Sequence, residues 1–350
     1  MQAFEYSNPA SLKEATGLLA ASWGETDVLA GGTDLLSLMK DSLHTPKRVV
    51  NIKSIHELGG LVRTAAGLRI GATVTMDELA RSAEVRAGYT GLAEAAAGIP
   101  SPQIRHMGTV GGDLCQRPRC WYYRQGFGLM AMKDGKSLVT GGENQYHAIF
   151  GGGPAYFVSA SSLGPALIAL DAKVRLVSSK GGRLISVKDF FVTPQNENMR
   201  EIALRPDEIL TEILVPAAVT HSATYEVRQK EALDWPLAAA SVAIKMKGSV
   251  VGSARIVLGH VAPTPWEATA AGVWLAGKTI TVETAEAAGK AAVEGAQPLS
   301  HNAYKVTLAK TAVKRALLAA VAAKVSPNST MSATDSPLKP ALLAAAKVRV

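Results

Sequence analysis

The chain has 350 residues, of which 47% are hydrophobic and 19% charged, a balance that supports a buried core and excludes a disordered or fibrous protein. That length exceeds what one core usually organises, so more than one domain is expected. The net charge of +8 comes from scattered Lys and Arg rather than a basic stripe, which argues against nucleic-acid binding and suits an acidic protein partner.

In chain order, residues 9–22 read as a short amphipathic helix with Ser11 placed to cap it and Leu12, Ala15, Leu18 and Leu19 on one face. Asp27 to Ala30 form an apolar strand, Gly31 and Gly32 a tight turn, and Leu35 to Met39 begin a helix. Arg48 to Ile52 add a second strand, so residues 1–53 resemble a small βαβ-type unit. Leu61 to Thr75 alternate like a hairpin, and Met76 to Ala97 are helical. From Gly126 to Gly153 the pattern breaks into glycine, polar residues and single aromatics, as in a long loop or insertion. A helix over Leu163 to Leu170 follows, then a strand over Lys173 to Ser178, a turn at Gly181 and Gly182, and a returning strand over Leu184 to Val187. New strands begin after residue 219, continue through Ala254 to Leu258, and give way to a helical region over 280–323. The expected class is α+β, with a boundary near residue 220 and a weakly ordered tail from Ser326.

Ala-rich runs such as 312–324 are broken by Lys and Arg, so no window offers the roughly 20 apolar residues of a membrane span. The opening MQAFEYSNPASLKEA lacks a secretory pattern. Cys115 and Cys120 are the only cysteines, which excludes a disulfide framework and fits a reducing, cytoplasmic setting.

Two glycine clusters carry the chemistry. The first, Val28-Leu29-Ala30-Gly31-Gly32-Thr33-Asp34-Leu35, lies between a strand and a helix. Adjacent glycines there can bare backbone N–H groups to a phosphate, although Thr33 or Asp34 can equally serve as a plain helix cap. The second, Ile104-Arg105-His106-Met107-Gly108-Thr109-Val110-Gly111-Gly112-Asp113-Leu114, again joins glycines to a Thr hydroxyl, and two such cradles suit a pyrophosphate. Neither fits a Rossmann GxGxxG or a P-loop. His106 has no second ligand at metal spacing and reads as structural.

AGGTDL, SPQIRHMGTVGGDL, QRPRCWYYR and VAPTPWEA together resemble the FAD-binding subunit of the xanthine dehydrogenase and aldehyde oxidoreductase family, and the likeness extends to about residue 325. QRPRCWYYR is similar to the bacterial branch of separate FAD subunits typified by periplasmic aldehyde oxidoreductase and 4-hydroxybenzoyl-CoA reductase. The resemblance implies a two-subdomain FAD-binding fold of the molybdenum hydroxylase (PCMH) type over 1–220, divided near residues 53 and 54, with an insertion over 115–158. It implies a smaller α+β C-terminal domain over 221–325 and a flexible tail over 326–350. It also implies a heterotrimer, in which a large molybdopterin subunit oxidises an aldehyde, purine or other substrate. A small subunit with 2Fe-2S clusters feeds electrons to the flavoprotein, which passes them to a final acceptor; a signal on a partner could carry the complex to the periplasm.

By the same resemblance, Val28 to Leu35 hold the FAD pyrophosphate, and Thr109, Gly111, Gly112, Asp113 and Leu210 add contacts. Arg228 stands where relatives commonly have Lys, and Ser162 where many have an Asp beside the flavin. Members of this branch often carry a 4Fe-4S cluster in the insertion. Cys120, with Cys115 nearby, supplies too few thiolates for one, so no metal site is expected and Cys120 reads as an inert small hydrophobe. Trp121, Tyr122, Tyr123 and Phe127 either stack on the flavin, face a partner or pack the loop onto the core. The residues leave one other enzyme class open, a stand-alone FAD oxidase of the related fold, but no paired carboxylates or His constellation after residue 220 supply it with an acid or base, and no catalytic residue is assigned.

Overall fold

The structure is a computed structural model and describes residues 1–217, 221–230 and 234–322. The tail expected over 326–350 and the proposed boundary at residue 220 lie outside the described residues.

At the N-terminus a three-stranded parallel sheet places Arg48–Asn51 between Glu5–Ser7 and Thr26–Leu29. Parallel neighbours need crossovers, and the helices Leu12–Gly17 and Leu35–Lys40 supply them. Ser11 caps the first, its hydroxyl accepting from the Glu14 N–H at 3.2 Å. Ala15, Val50, Ile52, Ile55 and Leu58 form the core of this unit.

A five-stranded antiparallel sheet follows, in the order Leu61–Thr64, Gly67–Gly71, Ile209–Pro216, Lys173–Ser178, Gly181–Ser186. The helical stretch expected as one run over 76–97 is three helices, Met76–Arg81, Ala83–Gly88 and Thr90–Ala97. The break at Ser82 arises because its hydroxyl accepts from the Val85 N–H and starts a new helix. Gly181 and Gly182 belong to the returning strand, where they pair with Ser178 and Val177, so the reversal falls at Ser179 and Lys180. The helix Leu163–Ala169, buried along its whole length, packs with Thr90–Ala97 into the principal core.

In the C-terminal part a four-stranded antiparallel sheet runs His221–Val227, Ala238–Lys247, Val250–Gly259, Trp266–Glu267. One face carries the helices Thr269–Leu275, Val282–Ala292 and Tyr304–Val321, whose buried positions are mostly alanine. Small side chains let these helices sit close to the sheet and to one another. The other face supplies Ala243 and Val257 to the principal core. The insertion holds the short helix Trp121–Arg124, one ribbon of two-residue strands, Met132–Lys133 and Lys136–Ser137, and otherwise irregular chain.

Candidate functional site

The two glycine clusters meet. Gly31 lies so near the second cluster that a Cβ there would stand 2.0 Å from the Met107 carbonyl oxygen. Gly32 has φ of +74°, in the left-handed region that glycine occupies without strain. Between the clusters runs an open cleft with two lobes. Thr33, Asp34, Thr109, Gly112 and Gln116 line both lobes and so join them.

The first lobe is walled by Val28, Ala30, Gly31, Gly32 and Leu35 together with Trp23, Arg117, Arg200 and Glu208. The Arg200 guanidinium lies over the Trp23 ring, 4.4 Å from its centroid. The second lobe holds Asp113, Ser162, Arg228 and Trp235. Most residues named from the sequence are therefore brought together, with three exceptions. Leu29 does not line either lobe and packs its Cδ1 beneath Gly32. Gly111 faces away, because a Cβ there would meet Ala72 at 2.9 Å, so it serves close packing. Leu210 is buried in the principal core and lines neither lobe. His106, expected as structural, keeps an exposed side chain 3.5 Å from Asp77.

Gly112 differs from Gly32 in kind. It belongs to the helix Val110–Cys115, whose N-terminus Thr109 caps by accepting from the Gly112 N–H at 3.1 Å. A Cβ on Gly112 would meet only that hydroxyl, and beyond it open space. Its missing side chain leaves room in the cleft rather than permitting a special backbone conformation.

The acidic members of both clusters turn inward. Asp34 accepts from the Arg117 N–H at 2.7 Å and from the Arg124 guanidinium at 2.8 Å, and pairs with Arg119 at 2.7 Å. Burial pushes its carboxyl up, but Arg119, Arg124 and the Arg117 N–H outweigh it and hold Asp34 below the usual carboxylate value. Asp113 accepts from the Ser161 hydroxyl and from the Ser162 and Leu163 N–H groups, so it anchors the start of Leu163–Ala169. Burial, only partly offset by those bonds, raises its pKa. Arg228 donates to the Gly98 carbonyl and to Glu226, whose carboxyl burial pushes up to about 7 against the opposing pull of Arg228.

Sequence reasoning passed over the arginines of QRPRCWYYR as a clamp, although the motif itself was visible; the one carboxylate they gather on, Asp34, lies 83 residues before Arg117 and 90 before Arg124, which is not a local signal. It also missed a partner for Cys120, whose Sγ lies 3.1 Å from His147 Nε2. Burial raises the Cys120 thiol and, with Lys305 nearby, lowers His147 to about 4, so both are neutral. Among the aromatics, Tyr123 packs the loop onto Leu38, Leu129 and Phe157, Tyr122 accepts from the Glu143 N–H, and Trp121 stands edge-on to Tyr146.

Comparison with known proteins agrees with this architecture. Residues 2–218 match the model of the FAD binding domain in molybdopterin dehydrogenase, and residues 223–320 that of the CO dehydrogenase flavoprotein C-terminal domain. The chain is 32% identical to the carbon monoxide dehydrogenase medium chain of Hydrogenophaga pseudoflava, over 91% of this chain and 96% of that one. It is 31% identical to the aldehyde oxidoreductase FAD-binding subunit PaoB of Escherichia coli, over 89% and 96%. Among solved structures it is similar to carbon monoxide dehydrogenase from Hydrogenophaga pseudoflava, with a TM-score of 0.72 at 30% identity, covering 91% and 97% of the two chains. Quinoline 2-oxidoreductase from Pseudomonas putida 86 gives the same TM-score at 26% identity. With its glycine clusters opposed across one cleft and both domain types present in order, the chain belongs to the FAD-binding subunits of the molybdenum hydroxylase family of oxidoreductases.

Proposed function

We propose that this chain binds FAD across the two lobes and acts as the electron-transfer subunit of a heterotrimer, with the pyrophosphate at Gly31, Gly32, Thr33, Thr109 and Gly112 and the ring system in the lobe bordered by Ser162, Arg228 and Trp235. The observation that carries it is the close opposition of the two clusters: at Gly112 a side chain would project into the cleft, and at Gly32 the backbone takes a conformation that most side chains disfavour. Such a floor lets a polyanion approach backbone N–H groups directly.

FAD, when bound, supplies the capacity to take up and release electrons. The chain's own residues bind and orient it. Asp34 holds Arg119 at the cleft wall and also pairs with Arg124, and Glu226 and the Gly98 carbonyl hold Arg228. Asp113 spends its oxygens on residues 161–163 and Gln116, so its part is to fix the wall rather than to reach a ligand.

The partners in this proposal are a small subunit with 2Fe-2S clusters and a large molybdopterin subunit, which oxidises the substrate. The chain divides into FAD-binding residues 1–220 and a C-terminal domain 221–325. The proposed compartment is the cytoplasm; among the described residues no helix is long and apolar enough to cross a membrane. Purification with untagged partners tests the whole: stoichiometric FAD and co-elution with a molybdenum-containing chain support it, and a colourless chain that takes up no added FAD overturns it.

A further inference from the structure

The second lobe is bordered by two arginines, Arg119 and Arg228, each paired with a buried carboxylate, and the two pairs differ. Asp34, the partner of Arg119, itself lines the lobe, and both of its oxygens accept, one from the Arg124 guanidinium and the other from the Arg117 N–H. Glu226 lines neither lobe. It lies behind Arg228, near the end of His221–Val227, with a side chain only 7% exposed.

The surroundings of Glu226 provide for one contact. Its Oε2 accepts from Arg228, which also donates to the Gly98 carbonyl. A Cβ at Gly98 would stand 2.6 Å from that same oxygen, so the glycine makes room for the carboxylate against the backbone. The other oxygen, Oε1, is buried without a hydrogen-bond partner among the described residues, as is Arg228 Nε. An ionised carboxylate has two oxygens that need donors, and here one guanidinium alone offsets the cost of burying it.

The two carboxylates titrate apart as a result. Asp34 is held below its ordinary value by its three arginine contacts. Burial pushes Glu226 up to about 7 against the pull of Arg228, and Asp113 adds to the rise. The other groups around the pair leave this balance in place. Ala239 stands opposite Glu226 on the neighbouring strand. Glu94, on the helix that leads to Gly98, accepts from the Thr224 N–H and is itself raised by burial. His260, lowered to about 3 by burial, Lys305 and Arg228, is neutral.

We propose that Glu226 is a positioning residue that sets the charge Arg228 presents to the second lobe. With Glu226 ionised the pair is neutral; with Glu226 protonated, Arg228 stands at the wall as an unbalanced cation. The inference rests on the FAD reading above, with the ring system in this lobe. An oxidised flavin ring that takes up two electrons and one proton becomes an anion, and a cation at the wall favours that form. The coupling is reciprocal, so reduction of the ring favours a proton on Glu226 by the same factor. The wall thereby makes the flavin easier to reduce as pH falls through neutrality.

The test equilibrates the FAD-loaded full chain with a reference redox dye, with dithionite as reductant, and reads the flavin–dye equilibrium constant by absorbance. Measurements at about pH 5.5 and about pH 8.5 bracket the titration of Glu226 near 7. Glu226→Gln, which carries the charge of the protonated form, is expected to favour reduced flavin at least tenfold over the parent at the higher pH. At the lower pH the two proteins are expected to agree within about twofold. Asp113 is present in both and drops out of the comparison. Equal constants at both pH values, or the same displacement at both, would overturn the inference and leave the flavin reading standing; a chain that takes up no FAD would overturn both. Should Glu226→Gln fail to fold, Glu226→Ala, which also removes the anion, is measured in its place with the same expectation and the same overturning results.

Discussion

Gly31 and the Met107 carbonyl oxygen are in such close register that a single added methyl group would stand 2.0 Å from the oxygen. The contact joins the turn after Thr26–Leu29 to the end of the helix Pro102–Met107, and it fixes the width of the cleft. Gly31→Ala must therefore push the two clusters apart. Overpacking of this sort costs about 1–3 kcal/mol, and we expect a folded but less stable protein whose FAD affinity falls at least tenfold, measured by equilibrium dialysis of flavin. Unchanged affinity would show that the junction does not set the cleft.

Gly32→Val and Gly112→Val are expected to abolish FAD binding while leaving the fold intact, but for different reasons. At Gly32 the substitution forces a β-branched residue to φ of +74°, at a cost of about 1 kcal/mol or more. At Gly112 no positive φ is involved; the added side chain presses on the Thr109 hydroxyl and extends into the cleft. Circular dichroism should match the parent in both; stoichiometric flavin in either would remove that glycine from the cradle.

Asp34→Asn leaves Arg119 and Arg124 without their shared anion in a mostly buried setting, and a loss of about 3 kcal/mol in unfolding free energy is expected. The pH dependence gives the sign. Because the folded-state pKa lies below the unfolded value near 3.8, the stabilisation is complete above that value and is lost as pH falls through the folded one. The parent should lose stability on acidification in that window, and the Asn variant should not lose this component. Parallel urea midpoints for the two proteins across the window would contradict the pairing.

Lys305 gives a slope of the same sign in a second, higher pH window. Burial lowers it from 10.5 to about 7, so between those values the unfolded chain binds a proton that the folded chain does not, and stability rises with pH. Lys305→Met should flatten that rise in urea titrations. A variant with the same slope as the parent would assign the effect elsewhere.

Iron analysis checks the metal expectation. Cys115 and Cys120 are the chain's only thiols, and among the described residues no group of three or more His, Cys, Asp and Glu is disposed to hold a metal. The anaerobically purified chain should contain flavin and no iron; close to four irons and four labile sulfides per chain would refute this. Acid precipitation should also release the flavin, since neither cluster offers a residue placed to bond it covalently.

The local features of the chain were legible and the long-range ones were not. Ser11 as a cap, the strand before Gly31 and the hairpin after Lys173 follow from patterns a few residues long. The run over 76–97 was misjudged because its composition is uniformly helical, while a single hydroxyl at Ser82 sets the break. At the site, glycines announced themselves by type, whereas Leu210 was carried over by resemblance and lies in the core instead. The Cys120 and His147 contact joins segments whose proximity no spacing rule reveals.

The bonds of Asp34 and Asp113 also bear on the order in which the molecule assembles. Asp34 ties the first glycine cluster to residues 83 and 90 positions later, and Asp113 ties the second to residues 48, 49 and 50 positions on. Neither wall of the cleft can reach its final shape until these distant segments have arrived, and closing such loops is a slow, late event in folding. A cofactor that binds the completed cleft and not the unfolded chain deepens the native state by mass action.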